Sequence, residues 1–91
     1  MLTLSELSQK MEKLDNWVLD GSSIIKELQF EDFKKSIEFV NNVAEVAEKN
    51  NHHPDIFINF NVVRLNLTTH SAKALTEIDF KVAEEIDKIK L

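Results

Sequence analysis

The sequence predicts an α+β fold: a four-stranded antiparallel sheet with three helices packed on one face, in the order α-β-β-α-β-β-α. Three observations lead there. Helical and strand-like hydrophobic periods follow one another in that order, the strand segments fall into two hairpins, and no parallel crossover pattern separates them. One glycine and one proline in 91 residues leave few breaks, so the elements should be long and the connections tight. The length suits one domain spanning 1–91.

The first helix is read over residues 4–14, where Leu4, Leu7, Met11 and Leu14 recur on one stripe. Thr3 and Glu6 stand at the spacing of a capping box. Trp17, Val18 and Leu19 then precede the turn pair Asp20-Gly21, and Ile24, Ile25, Leu28 and Phe30 follow it, which reads as a hairpin. The helical period returns from about Glu31 to Asn50, with Phe33, Ile37, Val40, Ala44 and Ala47 on one stripe. Phe39, Val43 and Val46 form a second stripe beside it. An arc this wide exceeds what one sheet face needs, so part of it is expected to meet another subunit.

After His52-His53-Pro54, the run Ile56 to Phe60 and the alternation of Val63, Leu65 and Leu67 with Arg64, Asn66 and Thr68 predict a second hairpin. Asn61-Val62 is its expected turn, although valine resists the positive φ that asparagine tolerates there. Thr76 and Asp79 mark the start of the last helix, which carries Ile78, Val82, Ile86 and Ile89 on one face.

Composition narrows the function. Sixteen acids against eleven bases give a net charge of −5, and such a chain has no basic field to draw a phosphate backbone. Direct nucleic-acid binding is therefore not expected. Without cysteine there is no disulfide frame and no thiolate metal site. The N-terminus lacks a signal-peptide pattern, and no stretch approaches the ~18 apolar residues of a membrane span, so a cytoplasmic chain is expected.

All three histidines fall at one end of the second hairpin: His52, His53 and His70. With the turn centred between Asn61 and Val62, His53 lies across from His70. Pro54 drives His53 out of helical geometry, setting the pair at the corner between helix and strand. Imidazole exchanges protons near neutral pH, so three convergent rings suggest acid–base work. A three-histidine zinc site is the competing reading, weakened because adjacent residues rarely aim at one ion. Glu48 sits in the last turn of its helix, against the helix dipole, as an orienting acid or simply a solvated one. Asp79 reads first as a helix cap that can also border the site.

The run Glu48-Lys49-Asn50-Asn51-His52-His53-Pro54-Asp55, then Thr69-His70, then Leu75-Thr76-Glu77-Ile78-Asp79, resembles the pterin-4a-carbinolamine dehydratase family. The likeness extends to Trp17 and to the pattern of Phe30, Asp32 and Phe33, nearly the whole chain. It implies removal of water from 4a-hydroxytetrahydropterin to give quinonoid dihydropterin, in recycling the cofactor of an aromatic amino acid hydroxylase. No metal or organic cofactor is implied, since the pterin is the substrate. It also implies a homodimer or homotetramer built through helical packing.

Carried over by position, His52 and His70 act as general acids on the departing hydroxyl, and His53 contacts the pterin and helps remove the N5 proton. By the same resemblance Glu48 and Asp79 polarise or orient these rings, and Trp17 or its neighbourhood borders the pterin. Two positions depart from the family pattern: Ile56 replaces an aromatic residue, and Ala74 a glycine. Some family members also bind a homeodomain transcription factor through the helical surface, which makes an interaction module the second expectation. A metal-dependent hydrolase is the third.

Overall fold

A computed structural model describes residues 1–91. Its elements run α1 (Leu4–Glu12), β1 (Val18–Asp20), β2 (Ser23–Gln29), α2 (Phe33–Asn50), β3 (Asp55–Asn59), β4 (Val62–Leu67) and α3 (Glu77–Asp87). The sheet is antiparallel throughout, in the order β1-β2-β4-β3. The α+β order read from the sequence is the order of the fold.

Local chemistry fixes the element ends. The Glu6 N–H donates to the Thr3 hydroxyl (3.1 Å) and the Thr3 N–H to the Glu6 carboxylate (2.9 Å), so α1 starts on a closed capping box. Those bonds, the one from the Thr3 backbone foremost, hold the Glu6 carboxyl below its usual pKa. Asp32 caps α2 by accepting from the Lys35 N–H at 2.8 Å, which places the helix start two residues later than hydrophobic period alone suggests. Gly21 turns the first hairpin with φ +61, in the left-handed region where glycine has no steric cost.

Alternation along β4 sorts the sheet into two faces. Val63, Leu65 and Leu67 are buried, whereas Val62, Arg64 and Asn66 look the other way. The helices cover the first face: Phe39 and Val43 of α2 and Phe80, Val82, Ala83 and Ile86 of α3 join Ile24 and the β4 residues in one core. Leu7 and Met11 bring α1 against it, and Lys10 ties α1 to Glu77 at 2.9 Å. The opposite sheet face is open, with Phe57 well exposed. No helix is long and apolar enough to cross a membrane.

The inner face also carries a buried charge. Lys26 of β2 donates to Asp87 at 2.7 Å, and the same carboxylate accepts from the Trp17 indole N–H (2.8 Å) and the Asp15 backbone N–H (2.9 Å). One carboxylate at the end of α3 thus pins β2 and the segment between α1 and β1.

Two expectations change. The second hairpin turns at Phe60 and Asn61, pairing Asn59 with Val62, one residue earlier than expected. Carried back to the corner, this register sets His53 opposite Thr68 rather than His70. The cause lies in the neighbouring strand: the Asn61 side-chain amide donates to the Phe30 carbonyl (2.9 Å), and the Phe30 N–H donates to the Asn61 carbonyl (2.7 Å). Pinned there, Asn61 leaves the positive φ (+54) to Phe60, a residue that rarely takes it. On α2, Phe39, Val43 and Ala47 face the core with Ser36, so the stripe of Phe33, Ile37, Val40 and Ala44 is the one left partly or wholly uncovered.

Candidate active site

The corner after α2 is made by backbone chemistry. Asn51 takes a left-handed conformation (φ 49), and the His52 N–H folds back onto the Ala47 carbonyl at 3.1 Å, which ends the helix. Pro54 then forces an extended path into β3. Adjacent side chains diverge as a result. His52 turns inward to α3, with 15% of its side chain exposed, while His53 turns back along α2 with 55% exposed.

Each ring finds its own carboxylate. His52 Nε2 lies 2.6 Å from Asp79 Oδ1, and His53 Nε2 lies 2.5 Å from Glu48 Oε2. A carboxylate only accepts, so in both pairs Nε2 carries the proton and Nδ1 is the nitrogen free to exchange one. The two pairs differ in setting. Glu48 is exposed in the last turn of α2, whereas Asp79 is wholly buried in the first turn of α3.

Buried Asp79 is fully engaged. Its Oδ2 accepts from the Thr76 N–H (2.9 Å) and the Thr69 hydroxyl (2.7 Å), and the Thr69 and Thr76 hydroxyl oxygens stand 2.8 Å apart. It closes the start of α3 and grips His52 at once. A helix N-terminus is also where a carboxylate is favoured by the dipole.

His70 occupies a tight loop whose ends, Thr69 and Ala74, form an isolated antiparallel bridge. The Lys73 N–H donates to the His70 carbonyl at 3.1 Å, and Lys73 takes φ +52, so the loop turns at Lys73 and Ala74 needs no glycine geometry. The His70 residue is exposed, and its chain neighbour Thr69 connects it to Asp79. Pro54 and Ile56 are half-buried beside the corner, Ile56 packing against the core.

Trp17 is not brought to this corner. It is a core residue bonded to Asp87, eight positions and about 12 Å along α3 from Asp79. Its indole serves the buried charge cluster. The cavities of the chain are lined by other residues, chiefly of α1 and around Phe30, and none by His52, His53 or His70. The two adjacent rings also present Nε2 to carboxylates on different helices, a divergent arrangement that does not form a common metal site.

The end of α2 is tied to α3 beside the site. Asn50 donates to Glu85 at 3.1 Å and Lys49 pairs with it at 3.0 Å, and these bonds, Asn50 first, hold the Glu85 carboxyl below its usual pKa. Thr69 and Asn50 are the site neighbours that periodicity gives no reason to select. Only the position of Thr69 next to His70 could have pointed to it.

A profile of the pterin 4 alpha carbinolamine dehydratase family matches residues 1–89. Among similar proteins, one from Nostoc punctiforme that carries the pterin-4-alpha-carbinolamine dehydratase name is 43% identical over 90 residues, covering 99% of this chain and 97% of its own. One of the same name from Sulfurisphaera tokodaii is 40% identical over 88 residues, covering 97% and 95%. The crystal structure of a transcriptional coactivator/pterin dehydratase from Brucella melitensis superposes with a TM-score of 0.87 at 38% identity, over 93% of both chains. A pterin dehydratase-like protein described as a RuBisCO assembly factor shares the fold at a TM-score of 0.64 and 19% identity, over 78% of this chain and 82% of its own.

Proposed function

The chain belongs to the pterin-4a-carbinolamine dehydratase family, and from that premise we propose that it removes water from a 4a-hydroxytetrahydropterin by imidazole acid–base chemistry. The C4a–O bond breaks as a proton reaches the hydroxyl oxygen, and the ring cation so formed loses its N5 proton. The products are water and quinonoid dihydropterin, with no net change in protons. Hydroxide is a poor leaving group, so the acid matters most at the first step and the base at the second.

The observation that carries this reading is the pair of carboxylate-bound imidazoles at one corner, His52 with Asp79 and His53 with Glu48. In each, the carboxylate holds Nε2–H and leaves Nδ1 to move a proton. We assign His52 and His70 as acids toward the hydroxyl, and His53 as the residue that meets the pterin and takes the N5 proton. Glu48 and Asp79 orient the rings, Pro54 sets the corner, and no metal or organic cofactor takes part. The pterin is the small-molecule partner, and the enzyme works as a homodimer or homotetramer beside an aromatic amino acid hydroxylase in the cytoplasm.

An absorbance assay of 4a-hydroxytetrahydropterin dehydration tests it. The protein should accelerate the loss of water, and His52→Ala, His53→Ala and His70→Ala should each slow it by about 10² to 10⁴-fold, the usual worth of a positioned acid or base. A folded wild-type sample with no acceleration would exclude the proposal.

One observation favours a second reading. Phe33 is 52% exposed at the head of the partly covered stripe on α2, which also carries Ile37, Val40 and Ala44. The Brucella melitensis relative is described as a coactivator as well as a dehydratase. Through this stripe the chain would bind an apolar helix of a partner protein, with no contact to DNA. Light scattering with and without such a helix separates this from self-association.

A further inference from the structure

Asp79 has two oxygens, and the donors around them are unevenly shared. Oδ1 meets His52 alone, while Oδ2 takes both the Thr76 N–H and the Thr69 hydroxyl. Proton accounting gives the Thr69 bond its direction. A carboxylate oxygen cannot donate, so the single Thr69 hydroxyl proton goes to Oδ2. The Thr76 hydroxyl then donates to the Thr69 oxygen 2.8 Å away.

Terminal carboxyl torsions are soft, with a broad rather than three-welled preference. Two donors on Oδ2 hold the carboxyl plane and leave Oδ1 aimed at His52. At 0% exposure, no water stands ready to replace a lost donor. Thr69 is itself held: its β-branched side chain is stiff at χ1, and its main chain exchanges bonds with Ala74 at 3.2 and 3.5 Å. The next residue along that main chain is His70, and the Ala72 N–H donates to the Thr69 carbonyl at 3.1 Å to close the loop.

We propose that Thr69 is a positioning residue of this site, orienting His52 through Asp79 by its hydroxyl and carrying His70 by its backbone. Two imidazoles from separate chain segments are thus referred to one residue. For its effect on rate this rests on the dehydratase reading; for where the protons lie it does not.

The hydroxyl and the methyl can be separated. Thr69→Val keeps the shape and loses the donor, whereas Thr69→Ser keeps the donor and loses the methyl. Thr69→Val should lower kcat about tenfold or more, the worth of one hydrogen bond to a charged group, with KM within about twofold. Thr69→Ser should restore kcat. Nitrogen NMR of the His52 ring should show a protonated Nε2 in wild type and in Thr69→Ser, and a mixed or shifted signal in Thr69→Val.

Wild-type kcat together with an unmoved His52 signal in Thr69→Val would overturn the proposal, as would a Thr69→Ser variant as impaired as Thr69→Val. Should Thr69→Val not fold, the wild-type Thr69 hydroxyl proton decides. A resonance resolved from water supports the bond to Asp79, and one averaged with solvent overturns it. If no dehydration is found at all, the His52 signals in the two variants still decide the role of Thr69, so the two failures remain distinguishable.

Discussion

At Asp79, a change of one atom should move a proton without moving the backbone. In Asp79→Asn the amide oxygen is drawn to the two donors on the Thr69 side, which turns the NH2 group toward His52. His52 Nε2 must then accept, so the ring keeps a single proton, on Nδ1, and can no longer act as the doubly protonated acid that gives up its Nδ1 proton while Asp79 holds Nε2–H. Dehydration should fall by about 10² to 10⁴-fold with KM little changed, and ring nitrogen NMR should report the exchanged tautomer. A variant with the wild-type tautomer and rate would show that Asp79 serves only as a helix cap. Much of this corner was legible beforehand. Three histidines, Glu48 and Asp79 stand out by chemical type, and Pro54 places His53 by sterics alone. Thr69 was legible only as the neighbour of His70 and not as a partner of Asp79, because a threonine hydroxyl acquires a role only from the atoms that folding sets beside it. Trp17 shows the same limit: an indole suits a ring site and a core equally, and it is Asp87, seventy residues away, that holds this one in the core.

Elements report how far local signals reach. The capping box of α1 and the turn at Gly21 depend on neighbours in sequence and were readable as such. The β3–β4 turn depends on Phe30, thirty-one residues from Asn61, and this remote clamp sets its register. The Lys26 and Asp87 pair is a second remote dependence, and its energetics can be tested. With side chains 8% and 13% exposed, removing Asp87 leaves the buried Lys26 only the more distant and exposed Asp15 carboxylate at 3.9 Å. Asp87→Ala should therefore cost about 3 to 5 kcal/mol, a large part of the roughly 5 to 15 kcal/mol that holds a domain together. Urea unfolding measures it. Lys26→Met with Asp87→Leu should recover part of the loss, since no charge is then buried, but not all of it, because the Trp17 and Asp15 N–H groups keep no acceptor. A double variant no more stable than Asp87→Ala would show that the charge itself is not what the pair neutralises.

The whole molecule has little interior for its length. Sixteen of 91 residues are buried, so burying further apolar surface by association would add stability. Besides the apolar groove that Leu4 and Leu19 flank beside α1, two exposed apolar surfaces bear on assembly. One is the α2 stripe headed by Phe33. The other is the edge of the sheet at β3, where Phe57 and Ile58 are exposed and no lysine, proline or covering loop within the strand protects the free backbone groups. The opposite edge, β1, has only three residues and offers a short template. Each surface can pair with itself about a two-fold axis, and two different two-fold interfaces generate a closed tetramer when their axes cross at right angles, whereas one alone gives a dimer. Phe33→Glu tests the helical interface and Ile58→Lys the sheet edge. If the protein is a tetramer using both, each substitution should halve its mass in sedimentation equilibrium, and the two together should give monomer. In a dimer, only the substitution at the interface in use should dissociate it. A wild-type chain that sediments as a monomer at micromolar concentration would exclude both interfaces and leave the stripe on α2 for another protein.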